Sequence, residues 1–409
     1  MNIFSKYFKK VWIISMFSLT AISWTSPLTI SGNGTNTTPS VSVNNQGKAS
    51  VVWNNGIFPQ LSIQSSSYDG TNWSAVTTIS DIRTSVSPVC GIDSSGNSVA
   101  AWEVLSGRTR SILTAQKPAG QNWNLPITLS IARSNTGVSI ATNAFGQTIV
   151  GWINKTNNII QTASLNFGGS WSSISAVQLP LGSRGDLKLG IDNSGNGILA
   201  WEDYTAAKVF TSQTTAGLNS SWSNPRLVNA VGKQKNPTLS VNALGNAIVS
   251  WINKETNLAE ASIYSNSNWL PVAILSDSVS STTSTAISES EYFVSWVNLV
   301  NGNIEGISTI NGIWDIAFNL SAMSSNLSPR SSYCQGTFYT LWADLIIEAV
   351  NVADYLTPSP VGGSSQPPFI ISNGNSNTSA IISSSLNNTI IAWESIIGKN
   401  NSVIQVNMN

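Results

Sequence analysis

Residues 187–201 read LKLGIDNSGNGILAW, and this stretch contains the pattern that decides the fold. Apolar residues alternate with others up to Ile191, a short turn with Gly195 follows, and a second apolar run ends at Trp201. Alternation with a period of two predicts a β-strand, and glycine in a short connection is typical of a hairpin turn. The stretch therefore predicts two antiparallel strands, which we call A and B.

The same pattern recurs along the chain. Four further clear copies are PSVSVNNQGKASVVW (39–53), PVCGIDSSGNSVAAW (88–102), VSIATNAFGQTIVGW (138–152) and PTLSVNALGNAIVSW (237–251), and three weaker copies end at Trp296, Trp342 and Trp393. The separations between successive closing tryptophans are 49, 50, 49, 50, 45, 46 and 51 residues. A repeat of this length is typical of four-stranded propeller blades. We therefore expect an all-β protein, an eight-bladed β-propeller.

The second tryptophan of a repeat predicts where its outermost strand, D, begins. Six repeats contain one, at Trp73, Trp123, Trp171, Trp222, Trp269 and Trp314. The eighth repeat, residues 378–409, ends after its third strand, C, whereas residues 24–31 resemble an isolated strand D. Because closure of the ring removes an unpaired sheet edge, we expect residues 24–31 to complete blade 8.

The N-terminus has the pattern of an export signal. Lys6, Lys9 and Lys10 precede an apolar stretch, and Ala21 and Ser23 have the small-x-small spacing of a cleavage site. We therefore predict a signal peptide at 1–23, a propeller at 24–409, and a secreted, periplasmic or cell-surface location. No membrane span is expected after cleavage, and we expect a monomer. Two cysteines, Cys90 and Cys334, do not suggest a disulfide framework, and their placement in blades 2 and 7 predicts free thiols.

The segment SYDGTNW (67–73) resembles the Asp-box, S-x-D-x-G-x-x-W, of sialidase-type propellers, although it is one residue shorter. In that family the box is a structural turn between strands C and D, on the face opposite the active site. The resemblance therefore implies a fold of the sialidase type. No residue here is matched to the family's arginine triad, its Tyr–Glu pair or its acid/base Asp, and no catalytic residue is predicted.

Charged residues at the predicted B–C turns and inter-repeat linkers suggest a binding face. These segments have a small excess of basic residues, whereas the A–B and C–D turns are mostly acidic. An arginine can bind a carboxylate or a sulfate with two hydrogen bonds. Our candidate ligand-binding residues are Arg83, Arg108, Arg110, Arg133, Glu103, Glu202 and Glu394. The polar residues that follow strand B could equally satisfy the backbone of their own turns, as Asn and Asp commonly do.

Three functions remain open from the sequence. The first is an exported or surface protein whose propeller rim binds an acidic glycan or a protein. The second is a sialidase-like glycoside hydrolase, which needs two carboxylates about 5–10 Å apart. The third is a purely structural surface protein. Basic and acidic residues number 19 each and the chain has no His, so we expect no nucleic-acid partner, no metal and no cofactor.

Overall fold

The fold is described here from a computed structural model of the chain. It describes residues 24–81, 83–177, 184–321, 326–344, 349–356, 369–372, 376–398 and 401–409. These residues form eight antiparallel sheets, and no helix occurs among them. The eight-bladed propeller predicted from the tryptophan spacing is therefore confirmed. The predicted signal peptide at 1–23 lies outside the described residues.

Each blade begins with two long strands, A and B, and the strands are numbered β1 to β34 along the chain. The A strands, which have no partner on one side, are β2 (Asn36–Val43), β6 (Thr84–Ile92), β10 (Asn135–Thr142), β14 (Arg184–Ile191), β18 (Gln234–Val241), β23 (Ser280–Ile287), β28 (Asn326–Cys334) and β32 (Ser376–Ser384). The B strands, which carry the closing tryptophans, are β3 (Ala49–Ile57), β7 (Ser98–Ser106), β11 (Gln147–Asn154), β15 (Gly197–Asp203), β19 (Ala247–Asn253), β24 (Tyr292–Asn298), β29 (Thr337–Asp344) and β33 (Thr389–Gly398).

The two outer strands complete each sheet. The C strands are β4 (Gln60–Tyr68), β8 (Thr109–Lys117), β12 (Ile159–Asn166), β16 (Lys208–Gln213), β20 (Ala259–Ser265), β25 (Ile304–Ile310), β30 (Ala349–Leu356) and β34 (Asn401–Met408). The D strands are short, and blades 5 and 6 have two pieces each: β1 (Leu28–Thr29), β5 (Thr77–Thr78), β9 (Ile127–Ala132), β13 (Ser175–Val177), β17 (Arg226–Leu227), β21 (Asn268–Trp269), β22 (Ala273–Ile274), β26 (Ile313–Trp314), β27 (Phe318–Asn319) and β31 (Phe369–Ile370).

The second tryptophan marks the start of strand D in only some blades. In blades 5 and 6 it pairs with strand C, but β9 and β17 begin several residues beyond Trp123 and Trp222. Both indoles instead reach the preceding blade. The Trp123 Nε1–H donates to Ser65 Oγ at 2.8 Å, and the Trp222 Nε1–H donates to Thr162 Oγ1 at 2.9 Å. Our prediction for the start of strand D was therefore wrong in these blades.

The ring is closed in blade 8 by residues 24–31, as we predicted from the sequence. In β1, Leu28 lies opposite Val406 and Thr29 opposite Gln405, so blade 8 has the order β1-β34-β33-β32. Flanking backbone bonds extend the seam, from Thr25 N to Met408 O at 2.9 Å and from Ile30 N to Ile404 O at 3.0 Å. Blade 8 begins at residue 376, two residues before the predicted boundary.

The core lies between neighbouring blades and is divided into eight clusters, one for each interface. The cluster between blades 4 and 5, for example, packs Ala200 and Val209 against Val249 and Trp251. All eight closing tryptophans are at most 2% exposed. Loss of one such side chain typically costs about 3–5 kcal/mol. This packing makes the scaffold rigid, so the turns at its ends are held in fixed positions.

The structure also tests the predictions for the Asp-box-like segment and for the two cysteines. The Asp-box-like segment is a turn between strands C and D, in which Asp69 Oδ1 accepts the N–H groups of Thr71 and Asn72, both at 2.7 Å. Cys90 and Cys334 are buried free thiols.

Candidate functional site

Strand register brings the four candidate arginines to one end of blade 2. Thr84 of β6 lies opposite Leu105 of β7, Leu105 opposite Arg110 of β8, and Arg110 opposite Ala132 of β9. Arg83 precedes the first residue of this row and Arg133 follows the last, while Arg108 lies in the turn between β7 and β8. Neighbouring strands are about 4.8 Å apart, so the row is roughly 15 Å wide. We call Arg83, Arg108, Arg110 and Arg133 the blade 2 rim.

Two of these arginines have carboxylate partners. Arg83 forms an ion pair with Asp81, which raises the pKa of Arg83 and lowers that of Asp81. Arg110 Nη1 lies 3.4 Å from Glu103 Oε2. Arg108 and Arg133 are exposed and make no ion pair with any residue that the structure describes. The blade 2 rim therefore has a net positive charge, with two guanidinium groups open to a ligand.

An exposed aromatic ring lies beside this row. The turn between β3 and β4 in blade 1 presents Ile57 and Phe58, which are 59% and 69% exposed. The Thr84 hydroxyl donates to the carbonyl oxygen of Pro59, which fixes this turn against the first strand of blade 2. Phe58 thus lies on the same side of the propeller as Arg83. Arginines beside a flat apolar ring can bind a molecule that has both anionic groups and an apolar face.

The carboxylates of Glu103 and Glu202 connect neighbouring blades. Glu103 in blade 2 accepts the Gly137 N–H of blade 3 at 2.8 Å, and Glu202 in blade 4 accepts the Asn236 N–H of blade 5 at 2.9 Å. Lys254 Nζ also binds Glu202, at 2.8 Å. Both donors lie at an irregularity in the A strand that turns the N–H toward the preceding blade. Burial raises the pKa of Glu103, and the hydrogen bond from Gly137 opposes that shift.

The seven candidate residues do not form one cluster. Arg83, Arg108, Arg110, Arg133 and Glu103 all belong to blade 2, whereas Glu202 and Glu394 belong to blades 4 and 8, two blades away on either side. Glu394 is half-buried, and burial raises its pKa while hydrogen bonds from Thr378, Ser379 and Ser402 lower it. A ligand on the blade 2 rim would therefore not contact Glu202 or Glu394.

Three of the polar residues at the end of strand B, namely Asn154, Asn253 and Asn298, serve their own turns, which was one of the two alternatives open from the sequence. Asn154 Oδ1 accepts the N–H of Thr156 at 3.1 Å, and Asn253 Oδ1 accepts that of Glu255 at 2.9 Å. Asn298 Oδ1 accepts the Val300 N–H at 2.8 Å.

Sequence reasoning overlooked two carboxylates that bind closing tryptophans, the buried Glu260 and the half-buried Glu305. Glu260 Oε2 accepts the Trp251 indole N–H at 2.8 Å, and Glu305 Oε2 accepts that of Trp296 at 2.9 Å. Each lies directly opposite its tryptophan on the neighbouring strand. The signal was present, because each glutamate follows its tryptophan by nine residues.

Among the described residues, no group of three or more Cys, Asp or Glu side chains is arranged to hold a metal ion. In the same ranges, no helix is long and apolar enough to cross a bilayer.

Comparisons with known proteins support the fold. No protein-family model and no curated protein matches the sequence. Among solved structures, the WD40 domain of SCAP from fission yeast is similar, with a TM-score of 0.57 and 11% identity over 93% of this chain and 97% of that domain. The polysaccharide lyase PL25, an ulvan lyase, has a TM-score of 0.51 and 11% identity over 83% of this chain and 97% of the lyase.

A sialidase is also among the similar solved structures. Hadza microbial sialidase Hz136 has a TM-score of 0.40 and 13% identity, over 64% of this chain and 63% of the sialidase. The class defined by fold and comparisons is the eight-bladed, four-stranded β-propeller, and these identities are too low to transfer an activity.

Proposed function

We propose that this protein is an exported or surface binding protein that holds an acidic glycan on the blade 2 rim. One observation carries the proposal: three separate chain segments deliver four arginines to one end of a single blade, beside the exposed Phe58. Guanidinium groups bind carboxylate or sulfate with two parallel hydrogen bonds. The apolar face of a sugar ring can pack on Phe58. Export remains part of the proposal and predicts a mature N-terminus at Trp24.

The use of the carboxylates supports binding over hydrolysis. A glycosidase needs one carboxylic acid and one carboxylate on either side of the scissile bond. Glu103 and Glu202 instead accept backbone N–H groups from the next blade, and they lie two blades apart. Glycosidase turnover that is lost in Glu202→Gln or Glu394→Gln would favour the hydrolase.

The test is binding of the full chain to neutral, sialylated and sulfated glycans at low and high salt. We expect selective binding to the acidic glycans that weakens with salt, because the screening length falls from about 10 Å at 0.1 M to about 3 Å at 1 M. The double variant Arg108→Gln/Arg133→Gln should bind at least about tenfold more weakly, since it removes both unpaired guanidinium groups.

The matched control is Lys155→Gln/Lys233→Gln, which removes the same charge from exposed residues of blades 3 and 5. It should change affinity by less than about threefold. Equal loss in both double variants would show a nonspecific effect of net charge. The absence of binding to any acidic glycan would overturn the proposal and leave a protein ligand or a structural role.

A further inference from the structure

Two cations occupy the same position of the A strand in blades 4 and 7. Lys188 lies opposite Ala200, and Arg330 lies opposite Leu341. In both blades the partner directly precedes the closing tryptophan. The corresponding residues of the other six blades are uncharged, namely Ser40, Val89, Ser139, Thr238, Ser284 and Ile381. One level of the ring thus contains two positive charges among neutral side chains.

This level borders the central channel. The A strands β14 and β28 pair on one side only, and in a closed ring of eight sheets their free edges face the axis. Arg330 is exposed, and because β28 is the strand of its sheet nearest the axis, the solvent that it contacts is that of the channel. Lys188 is half-buried. Both side chains are long enough to reach inward from the edge of their strand.

The two charges affect one another, and neither forms an ion pair with a described residue. Burial lowers the pKa of Lys188 below its usual value; Asp186 opposes this shift, and the charge of Arg330 adds to it. Desolvation by the surrounding protein also lowers the pKa of Arg330, although its side chain contacts solvent, as expected for a group inside an open channel. Neither cation makes a hydrogen bond or ion pair with the residues that the structure describes. Asp186 has a partner of its own, because the Tyr204 hydroxyl donates to its Oδ2 at 3.3 Å.

We infer that the channel contains a binding site for a small oxyanion, such as sulfate, phosphate or a carboxylate, held between Lys188 and Arg330. An anion with several oxygen atoms can accept hydrogen bonds from an ammonium and a guanidinium group at once. Its charge removes the repulsion between two partly desolvated cations. The site lies on the A strands of blades 4 and 7, whereas the blade 2 rim lies on the turns at one end of blade 2.

The test measures thermal unfolding and calorimetric binding of the full chain in sulfate and in chloride at equal ionic strength. A ligand that binds only the folded state raises the midpoint temperature with its concentration. We expect a saturable sulfate effect with one site per chain. Lys188→Gln and Arg330→Gln should each weaken sulfate binding by about tenfold or more, because each removes a charged donor.

Three controls separate this site from other effects. Sulfate also stabilises proteins by exclusion from their surface, and that general effect should persist in both variants. Arg330→Lys keeps the charge and should retain saturable binding, so it also reports whether the position tolerates substitution. Lys155→Gln, at an exposed residue outside both sites, should leave sulfate binding unchanged, and Lys188→Gln should leave glycan binding at the blade 2 rim unchanged.

Two results would overturn the inference. One is equal stabilisation by sulfate and chloride in the unmodified chain. The other is undiminished saturable binding in the double variant Lys188→Gln/Arg330→Gln. If a bound glycan placed its own terminal carboxylate in the channel, it would compete with sulfate for this site. Competition would then show that the glycan supplies the anion that the channel binds.

Discussion

At the scale of single residues, the choice between Asn and Asp in the A–B turns has a structural cause. The first residue of the turn is Asn44, Asn143 or Asn242 in blades 1, 3 and 5, and Asp93 or Asp192 in blades 2 and 4. The Asn side chain donates from Nδ2 to a carbonyl of the next blade, at 2.8 to 2.9 Å. The Asp side chain instead accepts from the Asn four residues later, at 2.8 Å. Blades 1 to 5 therefore alternate between a donating turn and an accepting turn.

Asn143→Asp should destabilise the protein. The change keeps the acceptor Oδ1 but removes the Nδ2–H donor and places a carboxylate against the Asp192 carbonyl, 2.9 Å away. The Asp192 carbonyl keeps its bond from the Gly195 N–H, so the cost is that of one lost hydrogen bond, about 0.5–1.5 kcal/mol, together with the repulsion between the carboxylate and the carbonyl oxygen. Urea unfolding would measure the loss. Asn122→Asp makes the same chemical change on an exposed turn and should leave stability nearly unaltered; equal effects would contradict this explanation.

At the scale of the element, a buried glutamate at the end of strand B accepts a hydrogen bond from strand A of the next blade. Glu103 does so between blades 2 and 3, and Glu202 between blades 4 and 5. Glu103 and Glu202 follow Trp102 and Trp201 directly, so each points to the opposite face of its sheet from the indole and is buried against the next blade. The irregularity in strand A supplies an N–H that the ladder within the blade does not use. Blades 2 and 3, and likewise blades 4 and 5, are thus joined by a hydrogen bond to a carboxylate as well as by apolar packing.

Glu103→Gln should change how stability depends on pH. The raised pKa of Glu103 means that the folded state binds this proton more tightly than the unfolded state, whose carboxyl titrates near 4.3. Its contribution is fully present below about pH 4.3 and is lost as the pH rises through the raised pKa. The unmodified chain should therefore lose stability relative to Glu103→Gln over that interval, as measured by urea unfolding at several pH values.

The control for this experiment is Asp69→Asn, for which we expect stability to change with pH in the opposite direction. The pKa of Asp69 is lowered by hydrogen bonds from Asn72 and Thr71. The unmodified chain should therefore gain stability relative to Asp69→Asn as the pH rises to about 3.9 and lose it again toward lower pH. If both variants gave the same trend, the assignment of Glu103 as a buried, unfavourably ionised group would be wrong.

The sequence predicted some of these elements and not others, for physical reasons. Strands A and B could be predicted because their tryptophans and turn glycines recur at a fixed spacing. The start of strand D could not, because Trp123 and Trp222 hydrogen-bond to the preceding blade, and the orientation of neighbouring blades is not a local property. The same holds for Glu103: its bond to Gly137 depends on how two sheets pack. The grouping of the four arginines could be foreseen only in part, since it depends on turn lengths that set the register.

At the scale of the whole molecule, the seam in blade 8 decides whether the ring is closed. Residues 24–31 cover the outer edge of β34 and add Ile30 to the core between blades 8 and 1. Without them, the N–H and C=O groups of β34 would form an exposed sheet edge, which promotes association between chains.

Deletion of residues 24–31 should lower the free energy of unfolding and cause association. The loss of a few seam hydrogen bonds alone should cost about 2–4 kcal/mol. Thermal unfolding and size-exclusion chromatography would measure both effects. A synthetic peptide of residues 24–31, added in excess, should restore the monomer, and a scrambled peptide should not. A deleted chain that remained monomeric and equally stable would show that blade 8 does not need this strand.

The seam also has a consequence for the order of events during synthesis. Thr29 Oγ1 and the Gln405 side chain, in contact across the seam, are separated by 376 residues of chain. Because β1 is synthesised before β34, it must remain unpaired until the blades between them exist, and a chain interrupted before residue 404 cannot form this joint. Closure therefore distinguishes completed from interrupted chains, because an interrupted chain still has a free edge that chaperones and proteases can recognise.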